Sequence, residues 1–363
     1  MTDLRRTVFL RWTNLAPAVA VLTLAATWGR DIPAVLVVLV ALVLAAAVLA
    51  AVHHAEVVAH RVGEPFGSLV LAIAVTVIEV ALIVTLMISG GEKTASLARD
   101  TVFAAVMITL NGIAGLSLLV GAVRHGLPRF NAEGTGAALA TVATLATLSL
   151  VLPTFTTSEP GPEFSTVQLA FAAVASLVLY GGFVVTQTVR HRDFFLPLGT
   201  DGDEDDHAEP PTAAAAKASL GLLVVALVAV VGLAKVESPA IEAGVEAAGL
   251  PASFVGVVIA LLVLLPETLA AVRAAQLNRI QTSLNLAFGS AMASIGLTIP
   301  VIAVASVWLD GPLLLGLGAT QMVLLALTVV VMALTVVPGR ATRLQGTVHL
   351  VLLISFVFLA ANP

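Results

Sequence analysis

The sequence predicts an all-α polytopic membrane protein with about eleven transmembrane helices: one extra helix followed by two inverted five-helix repeats. Three observations carry this expectation. Of 363 residues, 59% are hydrophobic and 11% charged, with a mean hydropathy of +1.06, whereas a soluble domain carries roughly 25% charged residues. Apolar runs long enough to cross a bilayer as helices recur along the whole chain. Two of those runs, otherwise free of charge at their centres, each hold one glutamate, Glu79 and Glu267.

The runs lie near 8–29, 33–54, 66–90, 100–123, 134–153, 165–189, 215–235, 252–274, 282–308, 312–337 and 343–362. They are continuous rather than alternating, and too long for barrel strands. The first follows the basic stretch "MTDLRRTVFLRW" and could mimic a signal peptide, but similar spans follow, so it reads as a retained helix. With the N-terminus on the cytoplasmic side, thirteen Lys and Arg, among them Arg61, Arg124, Arg190 and Arg273, fall in inner segments. Only Arg30, Lys93, Arg99 and Lys235 fall outside. This positive-inside bias fixes the expected orientation. The net charge of −5 offers no basic face for nucleic acid. The absence of cysteine excludes disulfides, thiolate metal sites and cysteine nucleophiles.

Sliding the chain by 188 residues lays "FGSLVLAIAVTVIEVALIV" (66–84) on "FVGVVIALLVLLPETLAAV" (254–272), so that Phe66 meets Phe254 and Glu79 meets Glu267. Glu79 lies in the third run and Glu267 in the eighth. An odd offset of five helices turns the second half upside down in the membrane, which is a transporter architecture. The expected organisation is an extra helix (1–32), a first repeat (33–189), an acidic cytoplasmic linker (190–214) and a second repeat (215–363). The linker holds Asp201, Asp203, Glu204, Asp205, Asp206 and Glu209. It reads first as a solvated tether, and second as a cation sensor built from hard oxygen ligands.

An ionised carboxylate at mid-membrane costs at least ~2.5 kcal/mol. Glu79 and Glu267 are therefore expected to face the bundle interior and to hold either a proton or a cation. Two neighbouring carboxylates ionise together only when a cation joins them, so protons and cations compete for the same oxygens. Other groups fit a hard-cation site. Thr76 lies one turn before Glu79. Pro266 has no N–H and frees the Leu262 carbonyl. Asn111 is the one amide deep in the fourth run. The ninth run brings Asn285, Ser290 and Ser294, with Gly289, Ala293 and Gly296 as a smooth face for close helix approach. Oxygen ligands of these kinds suit Ca²⁺, Na⁺ or K⁺ better than Zn²⁺. Gln321 and His349 read as structural hydrogen-bonders.

A second polar group, "AVHHAEVVAHRVGEP" (51–65), ends the second run. On a helix His53, Glu56 and His60 share a face, with Glu64 just beyond. A zinc protease is not supported, because no Glu directly follows a His and no i, i+4 His pair exists. A gate or access role, using histidine as a proton carrier, stands beside a plain interfacial one. No resident cofactor is expected, and the protein is expected not to be an enzyme. Two rivals remain: an intramembrane hydrolase using the acids or histidines, and a passive cation channel.

The segments "HHAEVVAHRVGEPFGSLVLAIAVTVIEVALIVTLM" (53–87) and "PETLAAVRAAQLNRIQTSLNLAFGSAMASIGLTIP" (266–300) resemble the two signature repeats of the cation/proton exchangers, a branch of the calcium/cation antiporter superfamily. Among these the bacterial calcium (sodium, potassium)/proton antiporters are the nearest in pattern. The resemblance implies export of Ca²⁺ in exchange for protons. It places the family's repeat glutamates on Glu79 and Glu267, its asparagine on Asn111, its Gly-Ser on Gly289 and Ser290, and its pre-signature residues on Glu56, His60, Gly63 and Glu64. Where many members carry Gly-Asn before each acid, this chain has Val75–Thr76 and Val263–Leu264. Ala291, Met292 and Ala293 stand where a Gln often follows the Gly-Ser. Fewer neutral ligands extend the expected cargo to Na⁺ and K⁺.

Overall fold

The computed structural model describes the backbone of all residues except 1, 31, 64–65, 91–93, 199–210 and 309–310. It also leaves out the side chains of 2–11, 34, 66–69, 71–72 and 89–90. Glu64 and the acidic residues of the linker lie outside the described residues.

The described residues form eleven helical stretches and no sheet: α1 (Thr2–Thr27), α2 (Ala34–Val62), α3 (Phe66–Gly90), α4 (Leu97–His125), α5 (Ala132–Thr154), α6 (Thr166–Arg190), α7 (Ala213–Ala247), α8 (Phe254–Gln276), α9 (Ile280–Ala305), α10 (Ala319–Val336) and α11 (Arg343–Ala361). Nine of them are long and apolar enough to cross a bilayer, judged on the described residues alone. The chain is an all-α, multi-pass membrane protein.

Helix ends follow local chemistry. Asn131 caps α5 by accepting from the N–H groups of Glu133 and Gly134 at 2.9 and 3.0 Å. Ser165 and Gln168 form a reciprocal capping box on α6. Gly63, at φ +75°, closes α2 in a conformation that side chains avoid.

Two features depart from plain runs. Helix α7 continues to Ala247, twelve residues past the expected end. Hydropathy marks the depth of lipid, not the end of a helix, and the Ala- and Glu-rich segment after Lys235 keeps helical propensity once it is polar. The second departure is in α4, which widens into a π-helical turn at Ile108–Ile113. Shorter π turns end the regular parts of α5 and α6.

The chain divides into two compact units, 1–90 with 204–248 and 91–203 with 249–363. These units are a different partition from the sequence repeats, since the first combines α1–α3 with α7. In it, α7 packs against α1, α2 and α3 through the stripe Ser219, Leu223, Ala226, Val230, Leu233 and Glu237, spaced by three and four residues. Gly232 lets Leu24 of α1 lie directly on the backbone.

In the second unit α4 lies against α8, α9 and α11, and α9 also packs on α5 and α6. Small residues mark the crossings, as expected where helices are held by close packing. A Cβ on Gly256 of α8 would lie 2.8 Å from the Asp100 backbone, and one on Gly346 of α11 would lie 2.6 Å from the Leu119 nitrogen. Gly346→Val is therefore expected to force α11 off α4 and to cost about 1–3 kcal/mol. A lower melting temperature in detergent is the check. On α9, Gly296 makes the close approach expected of it, since a Cβ there would lie 2.8 Å from Tyr180 Cβ, but Gly289 does not: a Cβ there would meet nothing within 4 Å.

Candidate cation and proton site

In the first unit, α3 buries Val75, Thr76, Ile78, Glu79, Leu82, Ile83 and Leu86, while Val77 stays 43% exposed. Glu79 is 4% exposed and lies on the inward face of its helix. Thr76, equally buried, lies one turn before it. The acid thus avoids lipid because the apolar residues three and four positions away dictate which face turns inward.

The His-rich end of α2 stays helical to Val62, so the i, i+3, i+7 alignment of His53, Glu56 and His60 holds. His53 is half-buried, whereas Glu56 and His60 are exposed. The histidine that the face alignment passes over is the more deeply placed one. His54 is 1% exposed; its Nε2 donates to the Thr13 carbonyl of α1 at 3.1 Å, and its Nδ1 accepts from the Ser219 hydroxyl of α7 at 3.3 Å. It ties three helices together. The signal was available, because His54 continues the buried positions Ala47, Ala50 and Ala51 at helical spacing. His54→Leu leaves a carbonyl and a hydroxyl without their partner. We expect a loss of about 1–3 kcal/mol, read as a lower unfolding temperature.

Glu237 is a second buried group that sequence reasoning missed. It is 2% exposed on the inward stripe of α7, and its Oε1 has no hydrogen-bond partner among the described residues. It escaped notice because it lies past the end of the apolar run.

In the second unit, Glu267 is 9% exposed on the inward face of α8, in line with Val263, Leu264 and Ala271. Pro266 lies inside the helix, so the Leu262 carbonyl finds no N–H four residues on. Ser290 and Gly289 of α9 are half-buried, and Ser294 is buried. Asn285 instead serves the packing of the bundle. Its Nδ2 donates to the Phe195 carbonyl at 2.6 Å, and its Oδ1 accepts from Gln281 Nε2 at 2.9 Å.

Asn111 sits in the π turn of α4, fully buried. Its Nδ2 donates to Thr328 Oγ1 of α10 at 2.9 Å, and its Oδ1 lies 3.0 Å from His349 Nδ1 of α11. His349 Nε2 lies 3.1 Å from Thr335 Oγ1 of α10. The same π turn packs against α8 and α9, so one widened turn touches the helix carrying Glu267 and the helix carrying Ser290. Gln321 stays local: its Oε1 accepts from the Gly318 N–H at the start of α10. Among the described residues no three His, Asp or Glu side chains gather as a metal centre.

Buried acids on inward faces of two apolar helices, in a bundle of membrane-crossing helices, define a membrane transporter. The chain belongs to the sodium/calcium exchanger protein family, whose pattern matches residues 32–189 and 218–361, and within it to the cation/proton exchanger branch that the two signature segments resemble. It is 47% identical over 359 residues to a Sinorhizobium fredii protein described as an ionic transporter, y4hA, covering 97% of this chain and 96% of that one. It is 34% identical over 351 residues to the sodium-potassium/proton antiporter ChaA of Escherichia coli, covering 95% of each. Its fold matches the solved structure of native YfkE with a TM-score of 0.73 at 16% identity, over 98% of this chain and 100% of that one. The protein is a transporter and not an enzyme, which sets the intramembrane hydrolase aside.

Proposed function

We propose that the protein is a secondary active antiporter that exports Ca²⁺, Na⁺ or K⁺ in exchange for protons. The observation that carries this is the inward burial of Glu79 and Glu267, one acid on each of two apolar helices. An ionised carboxylate buried at membrane depth is costly, which favours a proton or a cation on each. On these carboxylates cation and proton replace each other. Thr76 supports Glu79 in the first unit, and Ser290, Asn111 and the Leu262 carbonyl support Glu267 in the second, with Gly289 leaving room on α9. Alternating access moves the site between the two aqueous phases, using the two inverted repeats 33–189 and 215–363. The N-terminus is cytoplasmic and the membrane is a bacterial inner membrane. His53, Glu56 and His60 at the end of α2, with Glu64 next in the sequence, serve as a gate or entry.

The relatives support exchange against protons. The cargoes in their names differ: sodium and potassium for ChaA, and calcium for a Ca²⁺/H⁺ antiporter of Aphanothece halophytica, 24% identical over 330 residues. The test is transport in inverted vesicles with Ca²⁺, Na⁺ and K⁺ added separately while the proton gradient is read. Ion-dependent collapse of the gradient is expected. Cation flux that moves no protons would identify a passive channel instead.

A further inference from the structure

We infer that His349 is a positioning residue for ion exchange: it sets the orientation of the Asn111 amide and thereby holds the π turn against α8 and α9. This rests on the reading of Asn111 as part of the exchange site.

The amide of Asn111 offers one acceptor end and one donor end. With Nδ2 donating to Thr328 Oγ1 at 2.9 Å, the Oδ1 faces His349 Nδ1 at 3.0 Å, and that nitrogen must carry the proton. The Nε2 of a neutral imidazole then faces Thr335 Oγ1 at 3.1 Å, whose one hydroxyl hydrogen is shared with the Val331 carbonyl 2.9 Å away. Thr328 is left to direct its own hydroxyl at Met107 Sδ, 3.6 Å away. Turning the amide over would place Nδ2 on His349 and force the imidazole proton to Nε2. Imidazole tautomer and amide orientation are therefore one variable, fixed by the same ring.

The network is also closed to substitutes. Asn111, Thr328 and His349 are each fully buried, so water cannot replace a lost partner. The ring is seated by a glycine: a Cβ on Gly115 would come within 2.7 Å of His349 Cβ. On the α4 side, the amide lies in the one part of the helix that is wider than an α-helix, and π turns of this kind recur at functional sites. The turn contacts α8, which bears Glu267, and α9, which bears Gly289 and Ser290. His349 touches neither carboxylate in this scheme. It acts through Asn111.

The experiment uses the full chain in proteoliposomes, with K⁺ or Ca²⁺ supplied one at a time and an entrapped pH dye. His349→Leu is expected to raise the half-saturating ion concentration about tenfold, with a smaller change in maximal rate. His349→Asn keeps an N–H where Nδ1 stood and should return that concentration to within about threefold of the parent. In the Asn111→Ala background, His349→Leu should add nothing, since residues acting through one contact are not additive. Unchanged half-saturation in folded His349→Leu, whatever its yield, or losses that add independently would overturn the inference. If His349→Leu fails to fold, Thr335→Val removes only the hydroxyl at Nε2 and should shift half-saturation in the same direction, again silently in the Asn111→Ala background. A Glu267→Gln arm separates the two levels. Persistent exchange there overturns the site reading itself, whereas its loss alongside a normal His349→Leu overturns only the role of His349.

Discussion

Glu79→Gln and Glu267→Gln are each expected to reduce cation-driven proton movement by about a hundredfold or more, while the protein still inserts and folds. The size follows from what the substitution removes. Glutamine keeps the volume and one carbonyl oxygen but cannot carry charge or exchange a proton. Taking one partner from a buried charge pair costs about 3–5 kcal/mol, and each 1.4 kcal/mol is a factor of ten. Folding survives because the change replaces an expensive buried group by a neutral one of the same shape on the same inward face of α3 or α8. The measurement pairs ΔpH-driven uptake of ⁴⁵Ca²⁺ or Na⁺ with the yield and melting temperature of the purified variant. Uptake at the parental rate in either variant removes that carboxylate from the mechanism. Loss of both uptake and folded protein assigns it to structure instead.

The spans were readable because a bilayer imposes length and apolarity on every crossing, and eleven runs became eleven helices. The inward faces of α3 and α8 were also readable, since helical periodicity around Glu79 and Glu267 leaves one direction that hides the acid. The widened turn of α4 was not. "ITLNGI" has the composition of an ordinary membrane helix, and what engages Asn111 there lies 217 and 238 residues away, on Thr328 and His349. No local pattern announces contacts over such separations. For the same reason the sequence marks His349 as a hydrogen-bonder but names no partner for it. At the end of α2, the alignment of His53, Glu56 and His60 drew attention to the exposed side of the helix, while the bonds to α1 and α7 belong to His54 on the other side. Gly289 illustrates a different limit. A small residue in a membrane helix can serve close packing or open space, and only the neighbours decide.

If protons and cations occupy the same carboxylates, the apparent cation affinity must depend steeply on pH. For each proton that a bound cation displaces, the half-saturating concentration rises about tenfold per unit fall in pH, in the range where the site is protonated when empty. The direction is fixed: lowering pH fills the carboxylates with protons and weakens cation binding. Between about pH 8 and pH 6 this amounts to about 10² for one displaced proton and about 10⁴ for two. The slope of log half-saturation against pH thus reports the stoichiometry for each ion, and a divalent ion that needs both acids ionised should give the steeper line. Substrate-side pH is varied in proteoliposomes with the opposite side clamped. A flat line for every transported ion would refute the competition. Because histidines also titrate near neutrality, the measurement is repeated with His53→Gln and His60→Gln combined. A slope that survives belongs to the carboxylates, and one that vanishes moves the proton dependence to the end of α2.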